Sequence, residues 1–239
     1  LITDAQCSAA QAVRLGFDPE KICLFPWGVD LAHFTPASAR ILGAVWRDRQ
    51  GWGDKHVLLC LRSWEPNYGV DVLLLAFIEA AQKDDSLRLI LLGDGSQRNQ
   101  ILSILEEGKV NDKVFLGGRV PNQDLITYYG AADMYVTPSH VDGSSVSLME
   151  AMACGLPTIA SDIPANAEWI AEGQTGWLFP DGDHRALAEL LLKIPSFDLP
   201  AVGNFARNVA EKHADWQQNK QLLFLCWEQT LTSSKGGSQ

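Results

Sequence analysis

No apolar run in this sequence approaches the roughly 20 residues that a membrane-spanning helix needs, and no signal-peptide pattern is visible. Basic residues are few, 19 against 29 acidic ones, for a net charge of −10. That balance argues against a nucleic-acid partner and against binding anionic lipid over the whole surface. It leaves room for a local basic pocket around a phosphorylated ligand, and a peripheral membrane contact is compatible with it. Cysteine is scarce: Cys7, Cys23, Cys60, Cys154 and Cys226 are far apart, odd in number, and form no Cys-x-x-Cys pair. The five histidines make no ligand pattern with them, so neither a disulfide framework nor a zinc site is expected, and a cytoplasmic location fits best. Internal repeats are absent. Gly93-Asp94-Gly95-Ser96 lacks the Gly-Lys-Ser/Thr ending of a phosphate-binding Walker loop.

What is present is an ordinary globular composition, 46% apolar and 20% charged, in 239 residues. The length suffices for one large α/β domain, or for one domain and part of another. From Val57 onward short apolar runs alternate with amphipathic segments. Stretches 57–61, 87–92, 113–116, 134–137 and 157–161 read as strands, and their near-continuous apolarity predicts strands covered on both faces. Stretches 70–81, 97–107, 123–131, 145–154 and 165–171 carry helical spacing, and further helices are expected over 181–192, 201–213 and 215–230. The alternation predicts an α/β fold, a doubly wound, Rossmann-like parallel sheet with right-handed crossovers. Residues 28–54, rich in Pro and Gly with one short polar helix candidate, read as a linker from residues 1–27 into the main domain. Residues 233–239 read as a flexible tail. Leu1 stands where an initiator methionine would, and Leu1–Thr3 reads as the end of a strand already under way, which predicts a preceding segment.

Ligands of such sheets bind beyond the carboxyl ends of the strands. The loops of interest are therefore 62–69, 93–96, 117–121, 139–145 and 162–166. The most informative stretch runs from Ser139 to Pro157: a strand ends at Pro138, a Gly/Ser loop follows, and a helix of small and apolar residues begins. Free amides at that helix start, at the positive end of its dipole, suit a diphosphate. Glu150, one turn inside, could accept both hydrogen bonds of a ribose diol. A purely structural account fits the same residues: Ser147-x-x-Glu150 has capping-box spacing, and Ser144 or Ser145 could be an ordinary N-cap.

This stretch resembles the carboxyl-terminal half of glycosyltransferase family 4, retaining enzymes of the GT-B fold. Their signature is an acidic residue, seven intervening residues, then Glu, followed by Ala-Met-Ala-x-Gly-x-Pro. Asp142 and Glu150 have that separation, and Glu150 to Pro157 matches throughout. The likeness extends to Phe25–Asp30, Phe34-Thr35-Pro36, Gly93–Gly95, Gly117–Val120, Ala131–Asp133, Pro138-Ser139, Glu168 and Thr175–Leu178. It implies a donor site for a UDP- or GDP-linked sugar, with no cofactor and no metal. Glu150 would bind the ribose and Asp142 the sugar hydroxyls. Amides of Gly143, Ser144, Ser145 and Val146 would meet sugar and phosphate, and Arg62 would face the diphosphate. Gly93 also falls in the implied site, and Arg119 and Val120 would border the base. The acceptor, a sugar or lipid-linked molecule, would be held by an amino-terminal domain. The implied organisation is residues 1–34 as a remnant of that domain plus linker, 35–213 as the nucleotide-sugar-binding domain, and 214–232 as a terminal helix packing toward the missing part.

Two positions depart from the pattern. Asp142 replaces the usual Glu and is one methylene shorter, and Tyr68 stands before Gly69 where the family usually has Lys, so one positive charge on the diphosphate is absent. Asp181-Gly182-Asp183 resembles a metal-binding Asp-x-Asp, but it follows Phe179-Pro180 and opens a helix, which favours N-capping by Asp183. Glu168 reads as a cap or loop anchor, and His140 as a further candidate to touch ligand. Rival functions are another GT-B enzyme, such as a sugar phosphorylase or nucleotide-sugar epimerase, and a regulatory domain without catalysis.

Overall fold

Short strands and helices alternate through the computed structural model, which describes residues 1–235, with side chains described through residue 228. The chain opens with β1 (Ile2–Thr3), α1 (Gln6–Arg14) and β2 (Cys23–Leu24), and β1 and β2 pair in parallel as a separate two-stranded sheet. Then come α2 (Pro36–Gln50), β3 (His56–Cys60), α3 (Val70–Ala81), β4 (Leu87–Leu92), α4 (Arg98–Gly108), β5 (Val114–Gly118) and α5 (Leu125–Ala131). The second half supplies β6 (Met134–Thr137), α6 (Val146–Ala153), β7 (Thr158–Ser161), α7 (Pro164–Ala167), β8 (Gly176–Phe179), α8 (His184–Lys193), α9 (Leu199–His213) and α10 (Trp216–Lys235). Six strands form one parallel sheet in the order β5-β4-β3-β6-β7-β8. The expected doubly wound α/β fold is therefore present.

Alternation along each strand divides the core. Leu58, Cys60, Leu89 and Leu91 face one layer with α3 and α8, while Val57, Leu59, Ile90 and Leu92 face the other with α5, α6 and α9. Both faces are covered, which is why the strands read as unbroken apolar runs. The order reverses between β3 and β6, so the loops that follow these two strands open onto a common crevice, where an open parallel sheet offers a ligand site.

Several expectations need correction. Much of the linker expected over 28–54 is α2, a helix of 15 residues. The Thr35 hydroxyl accepts from the Ser38 amide at 3.2 Å, Pro36 opens the first turn, and Gly51 ends the helix in a left-handed conformation at φ 67°. The helix crosses α5 at bare backbone: a Cβ on Gly43 would lie 2.0 Å from the Gly130 carbonyl carbon. The helix expected over 165–171 is confined to α7, because Thr175 turns the chain back, its hydroxyl accepting from the Ala171 amide and donating to the Trp169 carbonyl. β8 adds an edge strand outside the five expected. Of the expected tail, residues 233–235 continue α10, and 236–239 lie outside the described residues.

The cysteine reading also changes. Cys23 in β2 and Cys226 in α10 are joined by a disulfide across 203 residues of sequence, with Cα atoms 6.1 Å apart. Spacing could not show this, since the pair meets only because α10 folds back onto the start of the chain. There Trp216 stacks on Trp27 at 5.7 Å between ring centroids, and the Asn219 side-chain amide donates to the Trp27 carbonyl. The bond withdraws cysteine spacing as an argument about compartment. Among the described residues, no helix is long and apolar enough to cross a membrane. Cys226→Ser is expected to cost about 2–4 kcal/mol of stability. A lower melting midpoint without reductant, which wild type matches once a thiol reductant is added, would show it.

Candidate functional site

The crevice is built by the loop after β3, residues 61–69, and the loop after β6, residues 138–145. Two glycines allow the close fit. Gly69 adopts φ 58°, and a Cβ there would stand 2.2 Å from the Pro138 carbonyl oxygen. Gly93, at φ 110°, has room for no Cβ because the Arg62 carbonyl oxygen would be 2.4 Å away. The His140 amide donates to the Asn67 carbonyl at 2.9 Å and ties the two loops together.

Arg62, directly beyond β3, is buried at 8% exposure. Its Nη1 donates to the hydroxyls of Ser145 (3.0 Å) and Ser147 (3.2 Å), and its Nη2 donates to Asp142 Oδ2 at 2.6 Å. The Tyr68 ring covers the guanidinium at 4.3 Å. Burial disfavours the charge, but Tyr135, Asp142 and Tyr68 outweigh it and hold the Arg62 pKa above its ordinary value. Arg62 therefore remains a fixed cation. Tyr68 brings no positive charge of its own; it stacks on the charge already there.

Glu150 lies in α6 and is 4% exposed. Its Oε1 accepts from Asn122 Nδ2 and its Oε2 from the Tyr129 hydroxyl, both at 2.8 Å. Burial raises its pKa above the ordinary 4.5, and those two hydrogen bonds oppose the rise in part. Tyr129, wholly buried, has its own pKa pushed well up by burial and by Glu150, so it stays a donor.

These contacts remove the capping-box account. Glu150 reaches Asn122 and Tyr129, while the Ser147 hydroxyl bonds Arg62 and the Tyr135 hydroxyl (2.7 Å). Ser145 does occupy the N-cap position of α6, but its side chain caps nothing and turns to Arg62. The first amides of α6 thus have no side-chain acceptor, which suits an anion.

A cavity of about 350 Å³ opens between these groups. Of the residues singled out in the sequence, Arg62, Tyr68, Asp142, Ser144, Ser145, Val146 and Glu150 line it. Gly93, Arg119 and Val120 line a second recess of about 320 Å³. Leu61 and Ser63 border both cavities. Gly143 is set back from the first cavity, and a Cβ there would lie 3.7 Å from the Asp4 carboxylate. Ser144 Oγ donates to the Asp4 carbonyl at 2.8 Å, which brings the start of the chain to the rim.

Sequence reasoning missed Asn122 and Tyr129, which hold Glu150, and Tyr135, which bonds Ser147; it read Ser147 as a capping residue, whereas Ser147 holds Arg62. Tyr129 carries the helical apolar spacing of a core residue, and nothing in the sequence marks its hydroxyl as aimed at α6. Three secondary candidates are settled by geometry. Asp183 caps α8, accepting from the Arg185 and Ala186 amides at 3.0 Å. Asp181 bonds His140 Nδ1 at 2.6 Å, so His140 is held beside the crevice by a carboxylate. Glu168 accepts from the Gln6 and Cys7 amides at 3.1 and 2.6 Å and caps α1 from across the chain.

The doubly wound parallel sheet is a Rossmann-like fold, with a buried cation and a buried carboxylate facing one crevice, and this fold recurs among solved structures. Alr3699/HepE from Anabaena, solved with UDP, superposes with a TM-score of 0.85 at 19% identity, covering 97% of this chain and 63% of that one. The family model described as glycosyl transferases group 1 matches residues 44–212, and this chain belongs to that family. WcaL of Salmonella typhimurium, a glycosyltransferase named for colanic acid biosynthesis, is 26% identical over 227 residues, 91% of this chain and 53% of its own length. A GDP-mannose-dependent monoacylated alpha-(1-6)-phosphatidylinositol monomannoside mannosyltransferase of Corynebacterium glutamicum is 29% identical over 199 residues. That match takes in 80% of this chain and 51% of the relative. The chain thus spans about half the length of these two relatives.

Proposed function

We propose that this chain is the carboxyl-terminal, donor-binding half of a retaining GT-B glycosyltransferase of family 4. It takes a UDP- or GDP-linked sugar and transfers the sugar to an acceptor hydroxyl in polysaccharide or glycoconjugate synthesis. The observation that carries this reading is the pairing of buried Glu150 and buried Arg62 on one cavity at the β3/β6 switch point. Glu150 accepts from the ribose diol; Arg62 and the first amides of α6 meet the diphosphate, joined by those of Gly143, Ser144, Ser145 and Val146. Gly93, Arg119 and Val120 border the base in the adjoining recess. Asp142 accepts from donor sugar hydroxyls, and Tyr68 keeps the Arg62 guanidinium in plane.

In the reaction the bond from the anomeric carbon to the β-phosphate oxygen breaks and a bond to the acceptor oxygen forms on the same face. The acceptor proton leaves with the departing phosphate. Arg62 and the helix amides stabilise the charge that grows on the nucleoside diphosphate. Residues 1–34 represent the edge of an acceptor-binding amino-terminal domain, and α10 packs toward it. This chain by itself therefore binds donor and turns over little. The test is a transfer assay on the protein joined to its amino-terminal domain, with the anomeric configuration of the product read by NMR. Retained configuration is expected; inversion would remove the family 4 reading, and transfer to inorganic phosphate alone would favour a phosphorylase.

A further inference from the structure

Each oxygen of the Asp142 carboxylate already accepts one hydrogen bond. Oδ1 accepts from the Gly143 amide at 2.9 Å, and Oδ2 accepts from Arg62 Nη2 at 2.6 Å. Among the described residues Arg62 in turn has one anionic partner, Asp142; its Nη1 is held by two neutral hydroxyls, and its Nε is buried with no partner among them. The ion pair is secluded, with side-chain exposures of 9% and 13%. It stands on the wall of the cavity that also carries Ser145 and Glu150.

We propose that Asp142 is an internal stand-in for the donor's diphosphate, a latch that the incoming nucleotide must displace. The proposal rests on the donor-site reading above and adds an order of events to it. A phosphate oxygen and Asp142 Oδ2 compete for the same guanidinium edge. When phosphate takes Nη2, the carboxylate loses its charged partner, and Oδ2 is released to accept from a hydroxyl of the sugar attached to that phosphate. Arg62 cannot follow the carboxylate, because Ser145, Ser147 and the Tyr68 ring fix its plane. Sugar recognition is thereby coupled to diphosphate binding: the sugar-reading carboxylate is released from the Arg62 charge, with its full accepting strength, only once the phosphate is in place. The short side chain of Asp142 matters here, since it lets Oδ1 hold the Gly143 amide while Oδ2 holds Arg62.

A carboxylate that serves the donor alone and a carboxylate that also blocks Arg62 give opposite signs for the bare nucleotide. Asp142→Asn keeps shape and volume but removes the competing charge. The latch predicts that this variant binds UDP or GDP, without a sugar, about tenfold more tightly than wild type, the factor expected when one charge-assisted competitor becomes a neutral one. It also predicts that turnover with the intact nucleotide sugar falls in the protein joined to its amino-terminal domain. Calorimetric titration of both proteins with UDP and with GDP reads the first effect, and a melting curve confirms that the variant is folded. Asp142→Ala, which removes both competing oxygens, is expected to tighten nucleotide binding in the same sense. Unchanged or weaker nucleotide binding in both variants, with wild type binding normally, overturns the latch and leaves the donor-site reading standing. No binding of either nucleotide by any of the three proteins removes the donor-site reading and the latch together.

Discussion

Glu150→Gln is expected to weaken UDP or GDP binding by about ten- to a hundredfold while leaving the melting temperature unchanged or slightly raised. The two effects part because the group serves the ligand at the expense of the fold. Burial raises the Glu150 pKa, which means that the folded chain favours the neutral form and bears a cost while the group is ionised. Glutamine removes that cost and retains one oxygen for the Tyr129 or Asn122 hydrogen bond. The ribose diol, which needs acceptors only, loses one charge-assisted bond worth about 1.5–3 kcal/mol. The same sign governs pH. As pH falls through the raised pKa, Glu150 takes up a proton, its own contribution to stability improves, and nucleotide affinity drops. The drop is expected above pH 4.5, the ordinary value for Glu, and Glu150→Gln abolishes it. An affinity–pH profile for the two proteins checks this.

Arg62→Ala is expected to have the larger combined effect. Nucleotide binding is expected to fall about a hundredfold or more, since Arg62, the one buried cation among the described residues and the proposed diphosphate partner, is gone and each charged contact is worth about 1.5–3 kcal/mol. Stability falls as well. Asp142 keeps only the Gly143 amide, the hydroxyls of Ser145 and Ser147 lose the Arg62 donor although Ser147 keeps the Tyr135 hydroxyl, and a void opens beneath Tyr68. Removing one partner of a buried pair costs about 3–5 kcal/mol; Asp142, at 13% side-chain exposure, lies close enough to water for the lower part of that range. Arg62→Lys keeps the charge but cannot hold Ser145, Ser147 and Asp142 at once, so its nucleotide affinity should fall between the other two. Titration and melting curves for the three proteins separate charge from geometry.

The sheet was legible because its strands are buried on both faces. Four of the five expected strands lie within a residue of their observed positions, and the loops beyond β3 and β6 are among those that the strand pattern singles out for a ligand site. The helix α2 carried readable signals, Thr35-Pro36 at its start and Gly51 at its end, but the surrounding Pro and Gly favoured a linker. Its packing depends on Gly43 meeting Gly130, a contact between segments far apart in sequence. The disulfide was illegible for the same reason. At the site, the sequence pattern singles out Arg62, Asp142 and Glu150, which line one cavity, but not their mutual arrangement. That Ser147 serves Arg62 rather than the α6 backbone, and that Tyr129 and Asn122 hold Glu150, follows from which side chains the switch point brings face to face. The cost of burying a carboxylate is visible only in three dimensions.

The central claim is that the β3/β6 crevice binds a nucleoside diphosphate through Glu150 and Arg62. Calorimetric titration of the wild-type protein with UDP and with GDP, beside Glu150→Gln, tests it most directly. The account predicts saturable binding of one of the two nucleotides by wild type and a loss of about ten- to a hundredfold in the variant. Equal affinity in the two proteins, or no binding of either nucleotide by the wild-type protein, would contradict it.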